Sequence, residues 1–181
     1  MLLQIMNNQE IKLDGLTVIV GLNDSGKSVI IDDVWHTSVD DDYNYPIKLD
    51  GYDMNTDLEV EYYKNRVILL DGVDRTCDPK NTIKLAEKIC RSVTTGIKFV
   101  VTTFNLNFLE ALIYYSKKYD LENIANYYQT EIIDDEIVIS DKTKHLNELY
   151  RLLTSDIPEI FFKSVQLELQ KMKDEGKCEQ S

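Results

Sequence analysis

The chain has few of the residues on which metal centres, disulfide scaffolds and nucleic-acid grips are built. Its 181 residues include three cysteines, Cys77, Cys90 and Cys178, unevenly spaced and without a Cys-x-x-Cys pair. That pattern offers neither a disulfide framework nor a zinc knuckle. Cys90 falls on the apolar stripe of an expected helix and reads as a buried thiol. Two histidines, His36 and His145, are too few for a multi-histidine metal site. No apolar run is long enough to cross a bilayer, and the amino terminus lacks the charged-then-apolar pattern of a signal peptide. An intracellular, cytoplasmic protein that does not contact a membrane is expected.

Positive charge is also scarce. Against 32 acids stand 20 lysines and arginines, for a formal net charge of -12. Such a balance opposes non-specific attraction to phosphate backbones, so direct nucleic-acid binding by this chain is not expected. Residues 32 to 65 alone carry a net -8, which reads as a solvated surface or as a docking surface for a basic partner. The apolar share of 43 % and charged share of 29 % are those of a globular protein. The length favours one domain, 1–181, with residues 141–181 forming carboxyl-terminal helices packed on it.

The most informative stretch is Gly21-Leu22-Asn23-Asp24-Ser25-Gly26-Lys27-Ser28, between the apolar runs Leu16 to Val20 and Val29 to Ile31. Strand, glycine loop, helix is the arrangement of a phosphate-binding loop. Glycines permit backbone angles that a side chain forbids, and the amides then line a concavity matched to a phosphate chain. The cofactor-binding candidates are therefore Gly21, Asn23, Asp24, Ser25, Gly26, Lys27, Ser28 and Val29. Lys27 would reach the outer phosphates, and Ser28 would ligate Mg²⁺ beneath the positive end of the helix. The bland alternative is an ordinary strand-to-helix turn.

Further along, Val67 to Leu70 has the continuous apolar character of a strand buried on both faces and ends at Asp71. In open α/β sheets the ligand crevice lies at the carboxyl ends of the strands. Asp71 is thus a candidate metal and catalytic acid beside Lys27 and Ser28, its alternative being a plain turn aspartate before Gly72. Asp78 with Pro79 starts a helix that Gly96 stops, a second buried strand covers 97–102, and a helix follows from about Asn105. Residues 2–6 and 10–13 read as a hairpin beside the strand that begins at Leu16. Residues 124–133 and 136–140 flank Asp134-Asp135 as a second hairpin at the sheet edge. A short strand near 58–62 and helices over 142–153 and 158–173 complete the reading. The last helix has more apolar surface than one face needs, which extra core contact or a partner interface would absorb. The expected fold is α/β with three layers, a mostly parallel sheet flanked by helices, and antiparallel hairpins at the edge.

Val18 to Ser28 resembles the Walker A region of ABC-type ATPases of the OLD, RecF and SMC lineage. Leu69 to Pro79 is similar to their Walker B run, and Phe99 to Asn105 to their switch strand. The resemblance covers most of the chain outside residues 37 to 65. It implies a P-loop NTPase fold, ATP and Mg²⁺ as cofactors, and a partner protein or a homodimer. It also sets Gly72 where the family has the glutamate that polarises water, and Phe104 where it has the switch histidine. Positioned acid-base groups are worth roughly 10²–10⁴-fold in rate, so hydrolysis is expected to be slow or absent. Asp74 is the candidate catalytic substitute, its alternative being a solvated turn residue. Only 37 residues, 29 to 65, separate Ser28 from Arg66, and no Ser-Gly-Gly run exists, so the lid or arm and the signature motif of the family are missing.

The function that follows is ATP and Mg²⁺ binding that governs a protein interaction. A small P-loop kinase is a second reading. Kinases surround the transferring phosphoryl group with cations, however, and the four arginines, Arg66, Arg75, Arg91 and Arg151, include none in an obvious lid. The third is a non-catalytic mimic that obstructs partners of ABC-type ATPases.

Overall fold

The computed structural model describes residues 2–37, 46–49, 63 and 66–154. The described strands are β1 (Leu2–Ile5), β2 (Gln9–Lys12), β3 (Leu16–Val20), β4 (Ile47–Lys48), β5 (Val67–Asp71), β6 (Lys98–Thr103), β7 (Ala125–Ile133) and β8 (Glu136–Asp141). The helices are α1 (Lys27–Thr37), α2 (Pro79–Val93), α3 (Leu106–Lys118) and α4 (Leu146–Thr154). The expected strand near 58–62 and helix over 158–173 lie outside the described residues.

Six strands form one sheet in the order β4-β5-β6-β3-β7-β8. All neighbouring pairs are parallel except β7 with β8. From β3 the chain moves toward β4 and β5, whereas β5 to β6 and β6 to β7 move the opposite way. Crossovers of one hand therefore place α1 on one face and α2 and α3 on the other. The side chains record this division with a period of two. Leu16, Val18, Val20, Ile68, Leu70, Phe99, Val101 and Tyr127 pack with α2, α3 and Leu149 of α4, while Ile19, Val67, Leu69, Val100 and Tyr128 pack with α1 and the first hairpin. Burial on both faces is why these strands read as unbroken apolar runs.

The starts of α2 and α3 follow the sequence signals, whereas α4 begins at Leu146 rather than at the expected 142, because Lys142 N donates to the Tyr127 carbonyl at 2.7 Å and Thr143 N to Asp141 Oδ1 at 2.9 Å. The Asp78 side chain accepts from Asn81 N at 2.9 Å with Pro79 in the first turn, and Asn105 accepts from Asn107 N and Phe108 N to cap α3. The β7–β8 turn places Asp134 and Asp135 at φ of 52° and 63°, the left-handed pair that matches a tight hairpin to strand twist. Cys90 is buried, its thiol pushed up to about 12 by desolvation.

Two features differ from expectation. The β1–β2 hairpin forms but makes its own two-stranded sheet instead of flanking β3, because β6 and β7 already occupy both edges of β3. It lies on the α1 face, held by Met6 N donating to Asp33 Oδ2 at 2.6 Å and Lys12 N donating to Tyr128 Oη at 2.9 Å. The two-residue β4, next to Pro46, is too short to leave a periodic trace in the sequence. Among the described residues no helix is long and apolar enough to cross a membrane.

Candidate functional site

The carboxyl ends of β3, β5 and β6 meet on one rim of the sheet, and the sequence places a polar turn after each. The glycine loop follows β3, Asp71 and Gly72 close β5, and Thr102, Thr103 and Asn105 close β6. Gly21 N donates to the Thr103 carbonyl at 3.3 Å, which joins the loop to the end of β6.

Within the loop, two positions have backbone angles that favour glycine or aspartate, Asp24 at φ 60° and Gly26 at φ 86°. Close packing fixes the other glycine. A Cβ on Gly21 would come within 2.2 Å of Ser25 Oγ and 2.3 Å of Thr130 Oγ1. Those two hydroxyls are hydrogen-bonded to each other at 2.8 Å, so β7 braces the loop from the side. Asn23, Asp24, Ser28 and Val29 are exposed along the loop and first turn, while Ser25 and Lys27 are buried.

Lys27 is only 4 % exposed. Its ammonium folds into the concavity, donating to the Gly21 carbonyl at 2.9 Å and the Leu22 carbonyl at 2.5 Å, with Ser25 Oγ 3.4 Å away. Burial lowers its pKa and the nearby Arg75 charge lowers it further, against the opposing pull of Asp71, Asp24 and Asp74. A buried cation held by carbonyls gains from any anion that enters the concavity.

Asp71 faces this loop from β5. Ser28 Oγ donates to Asp71 Oδ2 at 2.6 Å, and Thr102 Oγ1 donates to Asp71 Oδ1 at 2.5 Å. Thr102 Oγ1 in turn accepts from Gly72 N at 2.9 Å. The hydroxyl of Ser28 and the carboxylate of Asp71 are hard oxygen donors, which suit Mg²⁺, a cation that keeps several waters and needs only one or two carboxylates beside phosphate oxygens. The residues present therefore fit a magnesium-bound phosphate chain. Among the described residues no group of three or more His, Cys, Asp or Glu could hold a metal by protein ligands alone.

Asp74 lies in the short 3-10 turn over 73–76 and is 1 % exposed. Its Oδ2 accepts from Thr103 Oγ1 at 2.8 Å, Thr103 Oγ1 accepts from Asn105 N at 2.9 Å, and Oδ1 is buried without a partner among the described residues. Desolvation raises its pKa, outweighing the Thr103 bond and the charges of Arg75 and Lys27. The structure thus closes Asp74 off from solvent and makes it a link between the β5 turn and the end of β6. Gly72 has φ 57°, and the Arg75 side chain lies directly over it, with Nε 2.6 Å from where a Cβ would stand. The Arg75 guanidinium carbon is 5.6 Å from the centre of the Phe104 ring, which is 37 % exposed.

The structure brings Lys27, Ser28 and Asp71 together with the loop glycines. The sequence did not single out Thr130, which lies on a different strand 105 positions from Ser25, or Arg75 as a site residue. A threonine on an edge-side strand gives no local signal, and Arg75 gives only its nearness to Asp71.

No family model and no curated protein sequence matches the chain. Among solved structures, an SMC head domain from Thermotoga maritima is similar at 12 % identity and a TM-score of 0.48, over 77 % of this chain and 95 % of that one. A Pyrococcus horikoshii OT3 protein is similar at 11 % identity and a TM-score of 0.37, over 71 % of this chain and 87 % of that one.

Proposed function

We propose that the protein binds ATP with Mg²⁺ at the glycine loop, hydrolyses it slowly or not at all, and uses the bound nucleotide to govern an interaction with another protein or a second copy. The observation that carries the binding is the meeting of Ser28 and Asp71 beside a loop whose concavity holds the Lys27 ammonium. In this reading the phosphate chain replaces the Gly21 and Leu22 carbonyls as the partner of Lys27. The loop amides and the amino end of α1 face the anion, with the positive end of the helix toward it. Ser28 and Asp71 hold the metal, which when bound offsets phosphate charge. Thr102 keeps Asp71 oriented, since its hydroxyl spans the carboxylate and the Gly72 amide.

Weak turnover follows from the same rim. Gly72 has no side chain, Phe104 has no proton to give or take, and Asp74 is enclosed and bonded to Thr103. None of the three offers a positioned base to a water at the crevice. A nucleotide retained in this way acts through the surface it stabilises.

Thermal unfolding with ATP, ADP and Mg²⁺, for the native chain and Lys27→Ala, tests the binding. The native chain should gain stability in proportion to RT ln(1 + [L]/Kd), and Lys27→Ala should not. No shift in the native chain would remove the proposal. Size-exclusion chromatography with light scattering, with and without Mg²⁺ and ATP, tests self-association.

A further inference from the structure

Arg75 is an exposed cation at the rim whose side chain folds back over Gly72, the residue after Asp71. Its guanidinium meets the face of Phe104. Attraction to a ring face uses no N–H hydrogen bond, and among the described residues no carboxylate pairs with the fork. The neighbouring acids are committed elsewhere: both oxygens of Asp71 accept hydroxyl hydrogens from Ser28 and Thr102, and Asp74 is buried on Thr103. Arg75, over the residue after Asp71, and Lys27, next to the Ser28 that bonds Asp71, thus place two cations at the same rim of the sheet. An anion held at that rim meets both charges.

We propose that Arg75 is the ligand of the terminal phosphate in this site, the group by which the chain distinguishes a nucleoside triphosphate from a diphosphate. This rests on the glycine loop being a nucleotide site. Lys27 at the loop reaches the outer phosphates, one of which both nucleotides carry, whereas Arg75 lies over the residue after Asp71 and is assigned to the terminal phosphate alone. A guanidinium does not lose its proton and cannot act as a base, but its planar fork matches a phosphate edge in a bidentate fashion. Gly72 is required for this placement because any Cβ would push into Arg75 Nε, and Phe104 supports the guanidinium from one side.

The test is calorimetric binding of Mg²⁺ with ADP and with a non-hydrolysable ATP analogue, for the native chain, Arg75→Ala, Arg75→Lys and Phe104→Ala. The native chain should favour the triphosphate. Arg75→Ala should weaken it by about tenfold to a hundredfold while changing ADP less than about twofold, as loss of a charge-assisted fork requires. Arg75→Lys should recover part of the loss, as a point charge does, and Phe104→Ala should show a smaller loss of the same kind. Equal weakening of both nucleotides, no weakening, or a native chain without preference would overturn the role of Arg75 while leaving the loop reading intact. A native chain that binds neither nucleotide would overturn both.

Discussion

Ser28 Oγ donates to Asp71 Oδ2 at 2.6 Å, joining residues 43 positions apart across the rim of the sheet. The bond exists because β3 and β5 run parallel on either side of β6, so the turn after one faces the turn after the other. A hydroxyl and a carboxylate at hydrogen-bond distance are already spaced to share one small cation.

Removing that charge should uncouple metal from nucleotide. Asp71→Asn keeps the shape and an acceptor for Thr102 but loses the anion. The Mg²⁺-dependent part of nucleotide affinity should fall by about tenfold or more, lowering the ligand-induced rise in Tm by about 3–5 °C. Melting curves with ATP, with and without Mg²⁺, check this, and an unchanged Mg²⁺ effect would contradict it.

Asp74 should give the protein a distinctive acid limb. Its folded pKa is raised from the ordinary 3.8, so the folded state binds the proton more tightly than the unfolded chain does. This group's contribution is fully present below about pH 4 and is lost as pH rises through the raised folded value. Relative to Asp74→Asn, the native chain should therefore gain stability as pH falls toward 4. Urea midpoints from pH 4 to 8 measure the difference, and a trend of opposite sign would mean that the carboxylate is stabilised inside the fold.

Thr103→Val keeps the volume but removes the hydroxyl that serves both Asp74 and the Asn105 amide. A buried carboxyl left without its donor costs about 1–3 kcal/mol, more when charged. The denaturant midpoint should fall accordingly with the m-value unchanged. Loss below about 0.5 kcal/mol would show that water replaces the hydroxyl.

Gly72→Glu alone should not restore turnover. A residue other than glycine at φ 57° costs about 1–2 kcal/mol, and the new Cβ collides with Arg75. At saturating nucleotide, which offsets the affinity lost with Arg75, the combination with Arg75→Ala and Phe104→His should release phosphate faster than Gly72→Glu by itself. A phosphate-release assay decides, and full activity in the single variant would contradict the proposed obstruction by Arg75.

Much of the fold was legible because burial imposes periodicity. Val18, Ile19 and Val20 are apolar in succession since both faces of β3 are covered, and Asp78-Pro79 states a helix start by capping chemistry alone. The pairing of the first hairpin was not legible. Alternation identifies β1 and β2 as strands, yet whether they join the sheet depends on β6 and β7 taking the edges of β3.

The same division holds at the rim. The sequence by itself determined a glycine loop between strand and helix and an acid at the end of β5, because spacing and residue type fix backbone angles and donor chemistry; that Gly72 and Phe104 stand in place of a glutamate and a histidine is what the family resemblance implies. Only the tertiary structure decided that Asp74 is enclosed on Thr103, that Thr130 braces Ser25, and that Arg75 lies over Gly72 against Phe104. These contacts join separate segments of the chain, and their energies depend on desolvation and distance, which no local pattern of residues encodes.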